Sequence, residues 1–347
     1  MLQMKSRDAQ VSFIVTIIQM VENQLLYLIS HDHHIKRVIL LIAYKIADVF
    51  ILIYIKEKIL LTDTFSNFIC KSASGINVKV CLEPPDIPPQ NLCGFKDSRN
   101  RIYFAEAETW RFSGSFYGKV ETSDYYTGCA VYKNGRNSME SNSCLLSQIR
   151  LYLKRESRTD VSVEDGVITD SRLFDALGLD YIMSHNHRVI LHSSFISRQG
   201  EGILFTAPSG TGKSTQADLW KRHEEGVTII NGDRSILGFK EGRAWAYGLP
   251  FCGTSGIAEN MDCPLRAVVV LRQGRENQIR RLGQREAFSL LLSECTVNTW
   301  DTEGTENIMD LLIRIVRTVP VYYFACLPDF SAVEMLKAAL ADDYRKG

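Results

Sequence analysis

Between Pro208 and Thr215 the chain reads PSGTGKST: two glycines two residues apart, then a lysine and two hydroxyls. Consecutive backbone N–H groups can point into such a turn only if side chains do not crowd it, which is what Gly210 and Gly212 provide. A helix beginning near Lys213 would add its unpaired N–H groups and its positive end. The chemistry this predicts is a nest for a polyphosphate, built from Pro208, Ser209, Gly210, Thr211, Gly212, Lys213, Ser214 and Thr215. Lys213 would reach the β- and γ-phosphates of ATP, and the Ser214 hydroxyl would enter the shell of a magnesium ion, Mg2+. The consensus for this turn starts with glycine where the chain has Ala207, the next smallest residue. Thr215 also suits the first turn of a helix for its own sake.

A phosphate nest with one lysine does not transfer phosphate; a carboxylate on the metal side is also needed. Downstream, GVTIINGDRSIL brings Asp233 to the end of an apolar strand, where an open α/β sheet gathers its ligands. Asp233 and Ser214 are therefore the expected metal residues. The same NG dipeptide could instead close a hairpin.

The elements around these residues have to place them. ILFTA reads as a buried strand, KSTQADLWKRHEE as a helix and GVTIIN as another strand, which is the context a phosphate-binding turn requires. Ahead of them stand a short helix in SRLFDALGLDYIM, a strand in RVILHSSFI and the tight link SRQGEG. Closer to the N-terminus, RIYFAEAETWRF and YYTGCAVYK alternate like antiparallel strands, and SCLLSQIRLYLKRE has helical spacing. EPPDIPPQ must be an extended connector. The polar stretch SRTDVSVEDG marks a boundary, which gives an N-terminal extension over 1–43, an accessory α+β domain over 44–156 and a nucleotide-binding domain over 157–347.

Near the start, VILLIAYKIADVFILIYI is long enough to raise the question of a membrane span. Lys45 and Asp48 near its middle oppose one, at about 2.5–3.5 kcal/mol for each charge at a helix centre. We expect buried strands here, with KEK as the charged turn before ILLTDTF. HDHH at 31–34 reads as a solvated turn.

At 347 residues the chain suits two domains, and 45% apolar residues supply a core. Forty basic residues balance forty acidic ones, so no net field draws it to nucleic acid or an anionic membrane. The nine cysteines are scattered, with no CxxC pair, which disfavours a zinc site or a disulfide framework and fits a reducing cytoplasm. A homo-oligomer is compatible with all of this.

The stretches LHSSFISRQGEGILFTAPSGTGKSTQADLW, INGDR and YGLPFCGTSGIAENMDCPLRAVVVL resemble the catalytic domain of the HPr serine kinase family, whose P-loop fold is shared with ATP-dependent phosphoenolpyruvate carboxykinases. The resemblance covers roughly 160–340. It implies an α/β fold class, with a C-terminal P-loop domain of this kind and a smaller mixed α+β N-terminal domain. It implies a kinase that moves phosphate from ATP to a hydroxyl of a small molecule, peptide or protein, with Lys213 and Ser214 on phosphate and metal, Asp233 on metal and in catalysis, and His192 in the same site.

Two departures qualify it. The family carries two adjacent acids, one of which takes the acceptor proton, where this chain has Gly232 and Asp233. Either the base is missing, or Asp233 has both tasks, or Glu259 or Asp262 has moved in. The family's arginine and glycine segment corresponds to TSGIAEN, without its arginine; Arg234 and Arg243 are the candidates to stand in. A nucleotide-binding sensor or maturation accessory without transfer activity is the alternative reading.

Overall fold

The computed structural model describes residues 26–29, 38–55, 59–70, 76–83, 93–96, 100–104, 108–113, 128–133, 149–153 and 168–346. Over these residues the protein is mixed α/β. The HDHH run, the proline-rich stretch beyond Glu83 and the polar stretch at 157–166 lie outside them.

The first sheet contains β1 (Leu26–Ile29), β2 (Val38–Ile46), β3 (Val49–Ile55), β5 (Val78–Glu83), β6 (Cys93–Lys96), β7 (Asn100–Phe104), β8 (Glu108–Ser113), β9 (Gly128–Lys133) and β10 (Ile149–Leu153), in the order β1-β2-β3-β5-β10-β9-β8-β7-β6. The 38–55 run is a hairpin, β2 against β3. Its turn falls at Ala47 and Asp48, both at positive φ, and Lys45 pairs with Asp48 across it at 2.9 Å. The charges that oppose a membrane span thus flank a turn within the run that the sequence does not signal, while the KEK expected as a charged turn lies outside the described residues. No helix among the described residues is long and apolar enough to cross a membrane.

The helix expected in SCLLSQIRLYLKRE is corrected: Ile149–Leu153 is the strand β10, parallel to β5 and antiparallel to β9. Ile149 and Leu151 face the core at period two, and that local alternation, with two neighbouring ladders to join, outweighs the helical spacing of the leucines around it. β7, β8 and β9 form the antiparallel run that their alternation indicates.

Two short strands, β4 (Ile59–Leu60) and β11 (Ile168–Thr169), pair in parallel, and α1 (Asp63–Ser66) follows β4. SRLFDALGLDYIM forms two helices, α2 (Asp170–Leu177) and α3 (Leu179–His185), broken at Gly178. Gly178 has φ +74°, and a Cβ there would run into the Arg111 guanidinium and the Tyr132 hydroxyl. Arg111 is buried beside it in a two-pronged pair with Asp180. One apolar cluster holds Ile42, Ile53, Val80 and Leu151 of the first sheet together with Leu173, Phe174 and Ile182 of these helices.

The remaining elements build an eight-stranded sheet with helices on both faces. Its strands are β12 (Val189–Arg198), β13 (Glu201–Thr206), β14 (Val227–Asn231), β15 (Arg234–Lys240), β16 (Arg243–Tyr247), β17 (Asp262–Gln273), β18 (Gln278–Arg281) and β19 (Val321–Cys326). β13, β17 and β19 are mutually parallel neighbours, with β17 central, and the other pairings are antiparallel. Alternate residues face opposite ways, as a strand covered on both sides requires. Leu204, Val268 and Val270 pack under α5 (Gln284–Glu294) and α6 (Thr302–Thr318). Ile203, Phe205 and Val269 pack under α4 (Lys213–His223) and α7 (Phe330–Lys346).

Candidate functional site

β12 organises the site because it changes partners along its length. Its first half pairs with β15, up to His192 opposite Arg234, and its second half lies between β13 and β14. At the changeover the Ser193 N–H donates to the Asp233 carbonyl at 3.0 Å. The Thr206 hydroxyl, at the end of β13, donates to the His192 carbonyl at 2.9 Å. His192, Asp233 and the turn after Thr206 are thereby gathered at one end of the sheet.

That turn, Ala207–Gly212, joins β13 to α4, with Gly210 at φ +79° and Gly212 at φ +113°. A β-carbon would be strained at either angle, so the glycines here are conformational requirements. Lys213 opens the helix and is buried. Its ammonium folds back onto the turn, donating to the Ala207 carbonyl at 2.8 Å and to Pro208 at 3.4 Å. Burial holds the ammonium below the ordinary lysine value, while the charges of Glu294 and Asp233 pull it the other way. Gln273 at the end of β17 donates to the Gly210 carbonyl at 3.2 Å and steadies the turn from the neighbouring strand.

The turn opens on a cavity of about 440 Å³ lined by Ser209, Gly210, Gly212, Lys213, Ser214 and Thr215, and by His192, Gly232 and Asp233. Of the residues expected at the nest, Pro208 and Thr211 do not line it; they shape the turn, the Thr211 N–H donating to the Pro208 carbonyl at 3.3 Å. Ser214 donates to the Gly232 carbonyl at 3.3 Å, which ties the start of α4 to the strand-end turn.

Residues 231–234 form no hairpin, since β14 and β15 run on along β12. The fully buried Asn231 makes the bend. Its side-chain oxygen accepts from the backbone N–H groups of Asp233 and Arg234, both at 2.9 Å, and its amide donates to the carbonyls of Leu249 and Phe251. Asp233 is left part-exposed at the cavity, 3.7 Å from His192 Nε2 and 3.3 Å from Arg234 Nε.

The structure separates the candidates for the missing acid and arginine. Glu259 is exposed and does not line the cavity. Asp262 is engaged with Lys240 at 3.6 Å. Arg243 pairs with Glu201 at 2.8 Å in a different pocket. Arg234 alone among these sits beside Asp233. The place of an acid at Gly232 is filled by Ser255: a Cβ on Gly232 would stand 2.5 Å from Ser255 Oγ. Thr254 and Ser255 face the glycine turn across the cavity.

Sequence reasoning missed Glu294, whose Oε2 is 3.4 Å from His192 Nδ1. It reaches the site because Cys295 bridges Leu191 and the Thr296 N–H donates to the Ile190 carbonyl at 2.9 Å, adding the chain after α5 to the free side of β12. A contact across 102 residues of sequence leaves no local signal.

Ser214 and Asp233 supply hard oxygen ligands on the same cavity, a set that suits magnesium completed by phosphate oxygens and water. Among the described residues no group of three or more His, Cys, Asp or Glu side chains could hold a metal by itself.

No family model matches the sequence, and no curated protein matches it. Among solved structures, the Hpr(Ser) kinase/phosphatase from Coxiella burnetii aligns over 45% of this chain and 95% of that chain, at 14% identity and a TM-score of 0.26. A likeness of this degree carries no argument about function.

Proposed function

We propose that the protein binds ATP with magnesium at the glycine turn and transfers the γ-phosphate to a hydroxyl of a small molecule, peptide or protein, as a divergent HPr-kinase-like P-loop enzyme. The observation that carries the reading is the convergence of the Gly210–Gly212 turn, the buried Lys213, Ser214 and Asp233 on one cavity. The turn and the α4 N-terminus hold the phosphates, and Lys213 leaves its carbonyl partners for the β- and γ-oxygens. Ser214 and Asp233 would hold the magnesium, which supplies charge neutralisation between the β- and γ-phosphates. His192 lines the acceptor side. We place the protein in the cytoplasm on its scattered, odd-numbered cysteines.

A second reading, a nucleotide-binding sensor or maturation accessory without transfer, is favoured by one feature: Ser255 occupies the space an acid at position 232 would need. Transfer by the wild type separates the two, and Asp233→Asn tests the residue assigned to the metal. Incubation with labelled Mg·ATP and a panel of hydroxyl acceptors should show transfer by the wild type and its loss, by at least about a hundredfold, in the variant, while ATP still binds. Transfer at the wild-type rate by the variant removes Asp233 from the mechanism.

A further inference from the structure

The last residue of α5 places a carboxylate against His192 from outside the cavity. Glu294 does not line the cavity, and its side chain is 13% exposed, against 31% for His192. Its Oε2 lies 3.4 Å from Nδ1. Across the ring, Nε2 stands 3.7 Å from Asp233 Oδ1, too far for a direct hydrogen bond.

Glu294 is held there from both sides. Leu291, one turn back in α5, is fully buried, and Cys295 and Thr296 are laid along β12. A few residues on, the Trp300 ring stacks on Tyr181 at 5.5 Å between centroids, and Asp301 caps α6 by accepting from the Gly304 N–H at 3.1 Å. The backbone that carries Glu294 is thus fixed against β12, and the carboxylate leaves Nδ1 only by turning about its own side-chain bonds.

We propose that Glu294 is a positioning residue, which accepts the Nδ1–H of His192, fixes that tautomer, and presents the Nε2 lone pair to the cavity to accept a hydrogen bond from the hydroxyl of the phosphate acceptor. A carboxylate offers only lone pairs, so the proton on the His192–Glu294 axis belongs to Nδ1. Nε2 and Asp233 Oδ1 are then two acceptors facing one gap, and a hydroxyl entering it gives its one proton to Nε2. The role given to that hydroxyl rests on the phosphotransferase reading; the His192–Glu294 bond does not.

The test uses the full chain with ¹⁵N-labelled histidine at mildly alkaline pH, and His192→Gln to assign the ring. The wild type should show a proton on Nδ1 in slow exchange and a bare Nε2. Glu294→Met should remove the slow proton, Glu294→Gln should speed its exchange by about tenfold because a neutral acceptor binds it less tightly, and Asp233→Asn should leave it in place. A wild-type ring protonated at Nε2, or an Nδ1 proton unmoved by both Glu294 variants, overturns the proposal. ATP titrations on the same samples keep the two readings apart. Equal affinity in Lys213→Ala would sink the nucleotide site without touching the ring assignment. Glu294→Gln should bind Mg·ATP at least as tightly as wild type, since it loses a negative charge near Lys213; a tenfold loss would mean that Glu294 serves the fold, and would overturn the positioning role.

Discussion

The fit between Gly232 and Ser255 can be measured as a double-mutant cycle. A Cβ at position 232 would lie 2.5 Å from Ser255 Oγ and closer still to its Cβ, about 1 Å inside the ~3.5 Å optimum for such atoms. Gly232 is not at a positive φ, so alanine meets no backbone strain there, and the whole penalty is overlap. Ser255 cannot easily yield: its hydroxyl donates to the Cys252 carbonyl at 2.6 Å and accepts from the Ile257 N–H at 3.3 Å. Overpacking of this kind costs about 1–3 kcal/mol for Gly232→Ala. Ser255→Gly alone should cost about 1.5–2 kcal/mol, from roughly 1 for the hydrogen bond and the remainder from added chain freedom. In the double variant the overlap is gone, so the loss should stay near the Ser255→Gly value, giving a coupling of about 1–3 kcal/mol in favour of the pair. Urea unfolding of the four proteins at constant m-value reads this directly. Additive losses would refute the claim that Ser255 is what excludes a side chain from position 232.

Gly178 and Gly200 share a left-handed conformation, at φ +74° and +78°, but only Gly178 is crowded, so Gly178→Ala should destabilise by at least about 2 kcal/mol more than Gly200→Ala by disturbing the buried Arg111–Asp180 pair; equal losses in urea would show that backbone strain alone matters. Glu224 accepts from Lys337 at 2.8 Å and pairs with Arg198 at 2.9 Å; burial opposes its charge, but the two cations outweigh it and hold the carboxyl below the ordinary glutamate value. A depressed folded value contributes stability that is present above the unfolded pKa of about 4.3 and is lost as pH falls through the folded one. Glu224→Gln should therefore lose less stability than wild type between neutral and strongly acid pH, and parallel acid limbs would contradict this.

What could be read in the sequence was what is local. The glycine turn, its strand and its helix are contiguous, and their spacing reports a conformation that depends on few other residues. Asp233 was legible as a strand-end acid, although the bend that presents it is made by Asn231, whose side chain is engaged at both ends by backbone outside any motif. β10 was hidden because the two-residue alternation of IRLYL sits among leucines at helical spacing, and the pairing with β5 and β9 decides between them. The β2–β3 turn was hidden because Ala47 and Asp48 adopt positive φ without a glycine. Glu294 was illegible because its place depends on Cys295 and Thr296 joining β12.

The turn at Gly210–Gly212 and Lys213 are proposed to form a nucleotide site. Among the described residues the Lys213 ammonium donates hydrogen bonds only to carbonyls of its own turn, so Lys213→Ala should leave the fold intact while removing the cation nearest the β- and γ-phosphates. Titration calorimetry with Mg·ATP should show that the wild type binds and that the variant is weaker by at least tenfold, about 1.4 kcal/mol. Equal affinities in the two proteins, with unchanged unfolding curves, would contradict the assignment.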